Sequence, residues 1–451
     1  MKQIYQLKIE RMTMNGYGIG FANSKAVFVS QTLPGDVIDA NVSHERKEIV
    51  FARVLRYISR GEGYLPPPCD AFTKDPACGG CDWLMADYTH QLKWKNSLLR
   101  EVFEPFIAAD KIADIIPSPK EKHYRNKVFM PVGKSAGGME YGIFARFSHH
   151  IVSHNECQIH PPVFDAIAKR VTDICLNSGI DDYDELRHKG NLRHLGLRMN
   201  KDGSQILLVL VTLSAKLPFS GLLVKQLTAE FPTLCGIVQN INRERGNIIL
   251  GTEEKLLWGE PSMIDELGGS RFRVHYRSFW QVNPYSADLI VNQIAGLISK
   301  RDRVIDAFSG IGAIGIPLAQ HAETVVCIEE NEFACMDGEF NADLSGLTNL
   351  SFIRARVEDQ LPKLLADKEQ GRFSTIVFDP PRGGLEASVI EAVLSAKIPR
   401  IIYLSCSPMT MARDMKLFIA KDAYRVEFIQ PFDMFPQTWH IECLALLTRN
   451  K

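Results

Sequence analysis

Three short apolar runs in the last third of the chain, 303–308, 374–378 and 400–404, share one pattern. Each is rich in β-branched residues and nearly free of charge, and each ends in a break: Gly310 to Gly315, Asp379-Pro380-Pro381-Arg382, and Ser405-Cys406-Ser407-Pro408. Apolar runs without polar alternation suit strands buried on both faces of a parallel sheet. Ligands of open α/β sheets bind beyond the carboxyl ends of the strands. The pattern therefore predicts that the three breaks meet at one crevice, with Cys406 in it as a candidate nucleophile.

The first sixty residues read differently. Polar and apolar positions alternate from 6 to 58, punctuated by Gly16, Gly18, Gly20 and the turn Leu33-Pro34-Gly35-Asp36. Five short strands with glycine turns predict a small barrel of the oligonucleotide-binding type. Pro66, Pro67 and Pro68 mark a boundary, because proline continues neither helix nor strand. The middle of the chain mixes periods: helices over 89–106, 162–177 and 217–231, and strands over 128–132, 140–147, 205–212 and 236–242. That is an α+β region, with no repeat and no low-complexity segment.

At 451 residues the chain has room for two or three domains. No apolar stretch is long enough to span a membrane, and charges at Lys2, Lys8 and Glu10 interrupt any signal-peptide core, so a cytoplasmic protein is expected. Net charge is −1, which gives no global signature of nucleic-acid binding. Positive charge gathers locally instead: at 122–127, at Arg187, His188, Lys189, Arg193 and His194, at Arg243 and Arg245, and at Arg271, Arg273 and Arg277. Each cluster reads equally as solvated surface or as part of an RNA groove.

The ten cysteines change the picture more. In a cytoplasmic chain they argue for metal or catalysis rather than disulfides. Cys175, Cys235, Cys327 and Cys335 sit singly among apolar residues, as buried thiols do, and Cys406 and Cys443 lie near the predicted crevice. Cys69, Cys78 and Cys81, with Gly79 and Gly80 between the last two, can turn their sulfurs to one centre. Cys157 is the one further thiol in a suitable context. Three clustered cysteines and a remote fourth lean toward a four-iron cluster, while His154 and His160 beside Cys157 keep zinc open.

Gly310-x-Gly312-x-x-Gly315 between a strand and a helix, with Glu329 ending the next run, is a dinucleotide-type loop. Nicotinamide enzymes and S-adenosylmethionine methyltransferases share it. Asp379-Pro-Pro-Arg and the reactive cysteine separate them, since hydride transfer has no use for Cys406. With these residues the chain resembles the S-adenosylmethionine-dependent RNA uracil-C5 methyltransferases, in the bacterial 23S ribosomal RNA branch. The resemblance runs through the N-terminal glycine segment, Cys69-x8-Cys78-Gly-Gly-Cys81, Tyr124-Arg-Asn-Lys127 and Phe279-Trp280-Gln281-Val282-Asn283-Pro284. It continues through Asp306-x-Phe308-x-Gly310-x-Gly312, Asp379-Pro-Pro-Arg382, Ser405-Cys406-x-Pro408 and the segment from Phe432 to Glu442.

The resemblance implies an α/β protein of three parts. These are an RNA-binding TRAM barrel over 1–59, a central iron–sulfur and RNA-binding α+β domain over 60–268, and a Rossmann-like methyltransferase domain over 269–451. It implies cofactor contacts from Gln281, Phe308, Gly310, Gly312, Glu329 and Asp379, with Cys406 as nucleophile and Glu442 as base. It implies a [4Fe-4S] cluster on Cys69, Cys78, Cys81 and Cys157, and a monomer acting on 23S ribosomal RNA. Ser309, Ala313 and Ser407 depart from the family pattern, and no cofactor contact is carried to Arg356. The same chemistry on transfer RNA and a non-catalytic RNA-binding iron–sulfur protein stand as alternatives.

Overall fold

The computed structural model describes residues 2–135, 138–367 and 372–450. The N-terminal sheet has six strands, in the order Gln3–Lys8, Val37–Glu45, Ile49–Ser59, Lys25–Val29, Gly18–Ala22 and Arg11–Met12. Alternation alone predicts five. The sixth arises because one stretch, 3–12, pairs with both edges: its first half with Val37–Glu45 and its second half with Gly18–Ala22. The sheet thus closes on itself, around Leu7, Ile9, Val27, Val29 and Ile38.

The central sheet has seven strands, in the order Glu253–Gly259, Leu234–Ile241, Ile206–Thr212, Leu192–Met199, Lys127–Ser135, Gly138–Phe144 and Ile151–Ser153. Its one parallel pair, Ile206–Thr212 with Leu234–Ile241, is joined by the helix Ser220–Glu230, as a parallel connection requires. The helix Pro162–Asn177 covers one face with Phe164, Ile167, Val171 and Ile174. Leu192–Met199 escapes sequence reading because Arg193, His194 and Arg198 interrupt its apolar run. Arg193 and Arg198, readable as solvated surface, are each only 3% exposed. Their guanidinium groups donate to the carbonyls of Asn242, Glu244, His275 and Ser278 instead of to water, which is how a buried charge is tolerated.

The C-terminal sheet runs Leu350–Arg354, Thr324–Glu329, Arg303–Ala307, Thr375–Phe378, Arg400–Ser405, Glu442–Arg449, Tyr424–Phe432. The first five strands are parallel and the last two antiparallel. Strand order reverses between Arg303–Ala307 and Thr375–Phe378, the place where such sheets open a crevice. The helix Tyr88–Phe103 and the stretch after it pack on this sheet. Leu99, Phe103, Ile107, Ile112 and Ile115 enter its core, and the Ala113 and Ile116 amides donate to the Ile429 and Pro431 carbonyls at the edge strand. An edge that would otherwise offer unpaired amides is thereby covered. Among the described residues no helix is long and apolar enough to cross a membrane.

Candidate active site

The glycine loop after Arg303–Ala307 is tied down from both sides. Asp306 Oδ2 accepts the Gly315 amide at 2.7 Å, and Glu329 Oε2 accepts the Gly310 amide at 2.9 Å. A Cβ on Gly315 would stand 2.6 Å from Cys327 Sγ and 2.8 Å from Asp306 Oδ2, so only glycine lets the helix begin against the strand. Phe308, at φ +66°, takes the left-handed backbone that turns its ring toward the crevice. The cavity beyond is lined by Trp280, Gln281, Asp306, Phe308, Gly310 and Asp379 among others. Of the residues implied as cofactor contacts, Gln281, Phe308, Gly310 and Asp379 line it. Gly312 lies behind the loop against Ile316 and Phe352, and Glu329 braces Gly310 while also accepting the Asn331 amide at 2.8 Å.

Sequence reasoning left Asp306 without a part in the site, although it heads the glycine motif. The structure puts it in the cavity wall, fully buried, with Oδ1 free of any hydrogen-bond partner among the described residues. Burial, with Asp379 and Glu329 nearby, pushes its carboxyl up to about 8. An orphaned buried acceptor at the end of a parallel strand is what a polar ligand would satisfy.

Cys406 and Glu442 meet across two adjacent strands. The antiparallel register pairs Ser405 with Cys443, so Cys406 follows that pair on one strand and Glu442 precedes it on the other, at the same end of the sheet. Side chains alternate along a strand, which puts both on the face of Leu404, a wall of the cavity beside the glycine loop. Ser407 and Pro408 then open the helix Pro408–Ile419, whose free amides favour negative charge close by.

Electrostatics oppose that preference in the free protein. Burial raises the Cys406 thiol above its ordinary value, Glu442 and Asp379 raise it further, and the Arg382 guanidinium pulls it back. Glu442 is 5% exposed, and burial, then Asp379, push its carboxyl far above the usual range against the pull of Arg382. Burial lifts Asp379 to about 7. One cation thus serves both Cys406 and Glu442, which compete with Asp379 for negative charge. Arg382 stands out in the sequence only as the last letter of its motif.

Cys69, Cys78, Cys81 and Cys157 line a second cavity of about 640 Å³, together with Arg125, Lys127, Arg382 and His440. Burial pushes the Cys78 thiol up to about 11 and the Cys81 thiol well above its ordinary value, and the charges of Cys157 and Cys69 raise both further. The Gly80 amide approaches Cys78 Sγ at 3.4 Å. The tightest group is His154, Cys157 and His160, whose ligating atoms lie within 4.8 Å of one another. Asp165 organises it: Oδ1 accepts both imidazoles, at 2.9 and 3.0 Å, and Oδ2 accepts the Cys157 amide.

With this geometry in view, the relatives become informative. A family model described as tRNA (Uracil-5-)-methyltransferase matches residues 238–450. An uncharacterized RNA methyltransferase of Halalkalibacterium halodurans is 35% identical over 449 residues, covering 98% of this chain and 96% of the relative. One of Listeria innocua is 33% identical over 454 residues, with 99% and 98% covered. The chain belongs to the RNA uracil-C5 methyltransferase family. This methyltransferase is therefore an S-adenosylmethionine-dependent enzyme acting on RNA. Its fold is that of the Pyrococcus abyssi tRNA (uracil-54, C5)-methyltransferase solved with S-adenosyl-L-homocysteine, at a TM-score of 0.79 and 24% identity over 98% of this chain and all of that one.

Proposed function

We propose that this methyltransferase makes 5-methyluridine in 23S ribosomal RNA, with Cys406 as nucleophile and Glu442 as base. The observation that carries the reading is the meeting of Cys406, Glu442, Asp379 and Arg382 at one sheet end, beside the cavity of the glycine loop. Uracil C5 is a poor nucleophile. Addition of the Cys406 thiolate to C6 makes an enolate whose charge reaches C5. S-adenosylmethionine, when bound among Gln281, Phe308, Gly310 and Asp379, supplies the methyl group that C5 takes. Glu442 then removes the C5 proton, and the electron pair it leaves expels Cys406 from C6 and restores the ring.

The target base is hidden in stacked RNA and must be turned into the crevice, which a single-stranded loop makes easier. In this reading the closed N-terminal sheet is a TRAM module over 1–59 that grips RNA, the α+β part over 60–268 carries the cysteine centre, and 269–451 is the catalytic domain. The four cysteines hold a [4Fe-4S] cluster, supported by their shared cavity and by the Gly80 amide directed at a sulfur. Zinc on His154, Cys157 and His160 is the alternative, because Asp165 holds one nitrogen of each ring and leaves the other free to ligate. No redox step is required, so the cluster is structural and shapes the RNA site.

Tritium release from RNA made with 5-tritiated uridine tests the whole reading. Release from one 23S fragment, lost in Cys406→Ala, is the expected result. Release from transfer RNA alone would keep the chemistry and overturn the substrate. No release from either would overturn the chemistry.

A further inference from the structure

We propose that a second groove, on the central sheet, receives an unstacked nucleotide of the RNA substrate beside the one being methylated. It is a cavity of about 630 Å³ whose walls come from Phe129, Phe144, His149, Tyr183, Arg193 and Ile248 among others. It shares Phe129, Ile143 and Ile249 with the cavity that holds the four cysteines, Arg382 and His440. The two cavities therefore form one path away from the catalytic end of the sheet. Arg125 lines the cysteine cavity with Lys127 and Arg146; Arg146 is paired with Asp82 and burial brings Lys127 down to about 7, so Arg125 is the cation best placed for a phosphodiester backbone.

The groove has the chemistry of a base pocket. Phe144 and His149 stack at 5.2 Å, with planes 26° apart, and the Arg193 guanidinium lies 4.4 Å from the Tyr183 ring centre. Such flat aromatic and guanidinium surfaces are what unstacked bases lie on. Arg193 and His194 are neighbours on one strand and should face opposite ways. The register shift between Leu192 and His194 is a bulge that brings both into the groove, as bulges do when they re-aim a side chain.

Both residues are incompletely bonded there. Arg193 is 3% exposed, and its Nε has no partner among the described residues; neither has the buried Nδ1 of His194. Burial holds His194 down at about 4, so it enters as a neutral imidazole able to read a base edge. The acids of the wall are already engaged, Glu185 by His149 at 2.6 Å and Asp184 by Arg187. At the rim, Leu186 and Ile248 are 92% and 76% exposed, although a soluble surface gains nothing from showing them. A nucleobase covers such surface.

The inference rests on RNA being the substrate, and its test separates it from the proposed reaction. Fluorescein-labelled oligouridylate is titrated with the full-length protein and with the variant Leu186→Glu/Ile248→Glu, and tritium release is followed in parallel. Both positions are exposed, so folding should survive, and Ile248→Phe serves as the conservative control. The expected result is a roughly tenfold weaker affinity in the double variant, the loss of about one base stack, with KM raised and kcat unchanged. Ile248→Phe should bind as the wild type does. An unchanged oligouridylate affinity in the double variant, or equal loss in the phenylalanine variant, would overturn the groove. Weakened binding in a protein that releases no tritium would keep the groove and defeat the reaction.

Discussion

Lys95 and Asp433 offer the sharpest test of how the active site is held. Lys95 Nζ lies 2.7 Å from Asp433 Oδ1, both side chains have no exposure, and the same ammonium donates to the Phe435 carbonyl at 3.1 Å. The bond joins the helix Tyr88–Phe103 to the stretch that leads into Glu442. At that distance and an effective dielectric of about 20 the gross attraction is roughly 6 kcal/mol. Much of it offsets desolvation, so the pair adds little over two apolar residues. Removing one partner is another matter, because it strands the other charge, at a cost of about 3–5 kcal/mol. Lys95→Met should therefore destabilise by that amount and lower kcat, while Lys95→Met/Asp433→Asn should recover at least half of the loss. Tryptophan fluorescence during denaturation is the assay. Trp83 and Trp94 pack edge to face at 5.7 Å, and the Trp83 ring lies 5.9 Å from Lys95 Nζ, so the signal reports this helix directly. A single variant within about 1 kcal/mol of wild type, or a double variant no better than the single, would refute the reasoning.

Other outcomes follow from the same geometry. Cys406→Ala should abolish tritium release while leaving cofactor and RNA affinity within about twofold, as for a group engaged only during reaction; equilibrium dialysis and anisotropy measure both. Glu442→Gln should still form the covalent bond but fail to remove the C5 proton, so a protein–RNA adduct should accumulate and survive denaturing electrophoresis. Full turnover without adduct would remove Glu442 from its role. The contribution of Asp306 and Asp379 to stability should fall as pH rises from about 4 to about 8, because they keep their protons in the fold, to about 8 and about 7, after they would lose them unfolded. Asp306→Asn should flatten that slope in the cofactor-free protein. Equal melting-temperature differences between variant and wild type at pH 5 and pH 8 would contradict it.

The parallel strands of the catalytic half were legible in the sequence because both their faces are buried, leaving apolar runs with abrupt ends. The convergence of those ends followed from the architecture. Cys406 and Glu442, 36 positions apart with a helix and a strand between them, sit together because Glu442–Arg449 enters the sheet antiparallel, which no local pattern announces. Leu192–Met199 stayed hidden because its arginines bond to distant carbonyls. The tie between Lys95 and Asp433 spans 338 positions, and a lone lysine on a helix reads as solvated until its partner is known. Asp306 and Arg382 were visible as motif letters, but their work, holding a glycine loop and offsetting the charge of Cys406 and Glu442, depends on burial.

That balance bears on the order of the proposed steps. Cys406, Asp379 and Glu442 share one buried end of the sheet, where the guanidinium of Arg382 is close enough to shift Cys406 and Glu442. Low-dielectric surroundings let such a cluster carry about one negative charge near neutral pH, and the carboxyls respond by rising. The chemistry needs two anions, but never together. The thiolate must exist before attack, when a protonated Glu442 leaves it unopposed. Once sulfur is bonded to C6 it is neutral and no longer competes with Glu442 for the pull of Arg382, so the carboxylate can form in time to take the C5 proton. Elimination then returns the charge to Cys406. A site able to hold one charge is thus used twice, and the crowding of acidic groups that looks unfavourable in the free protein separates the two steps in time.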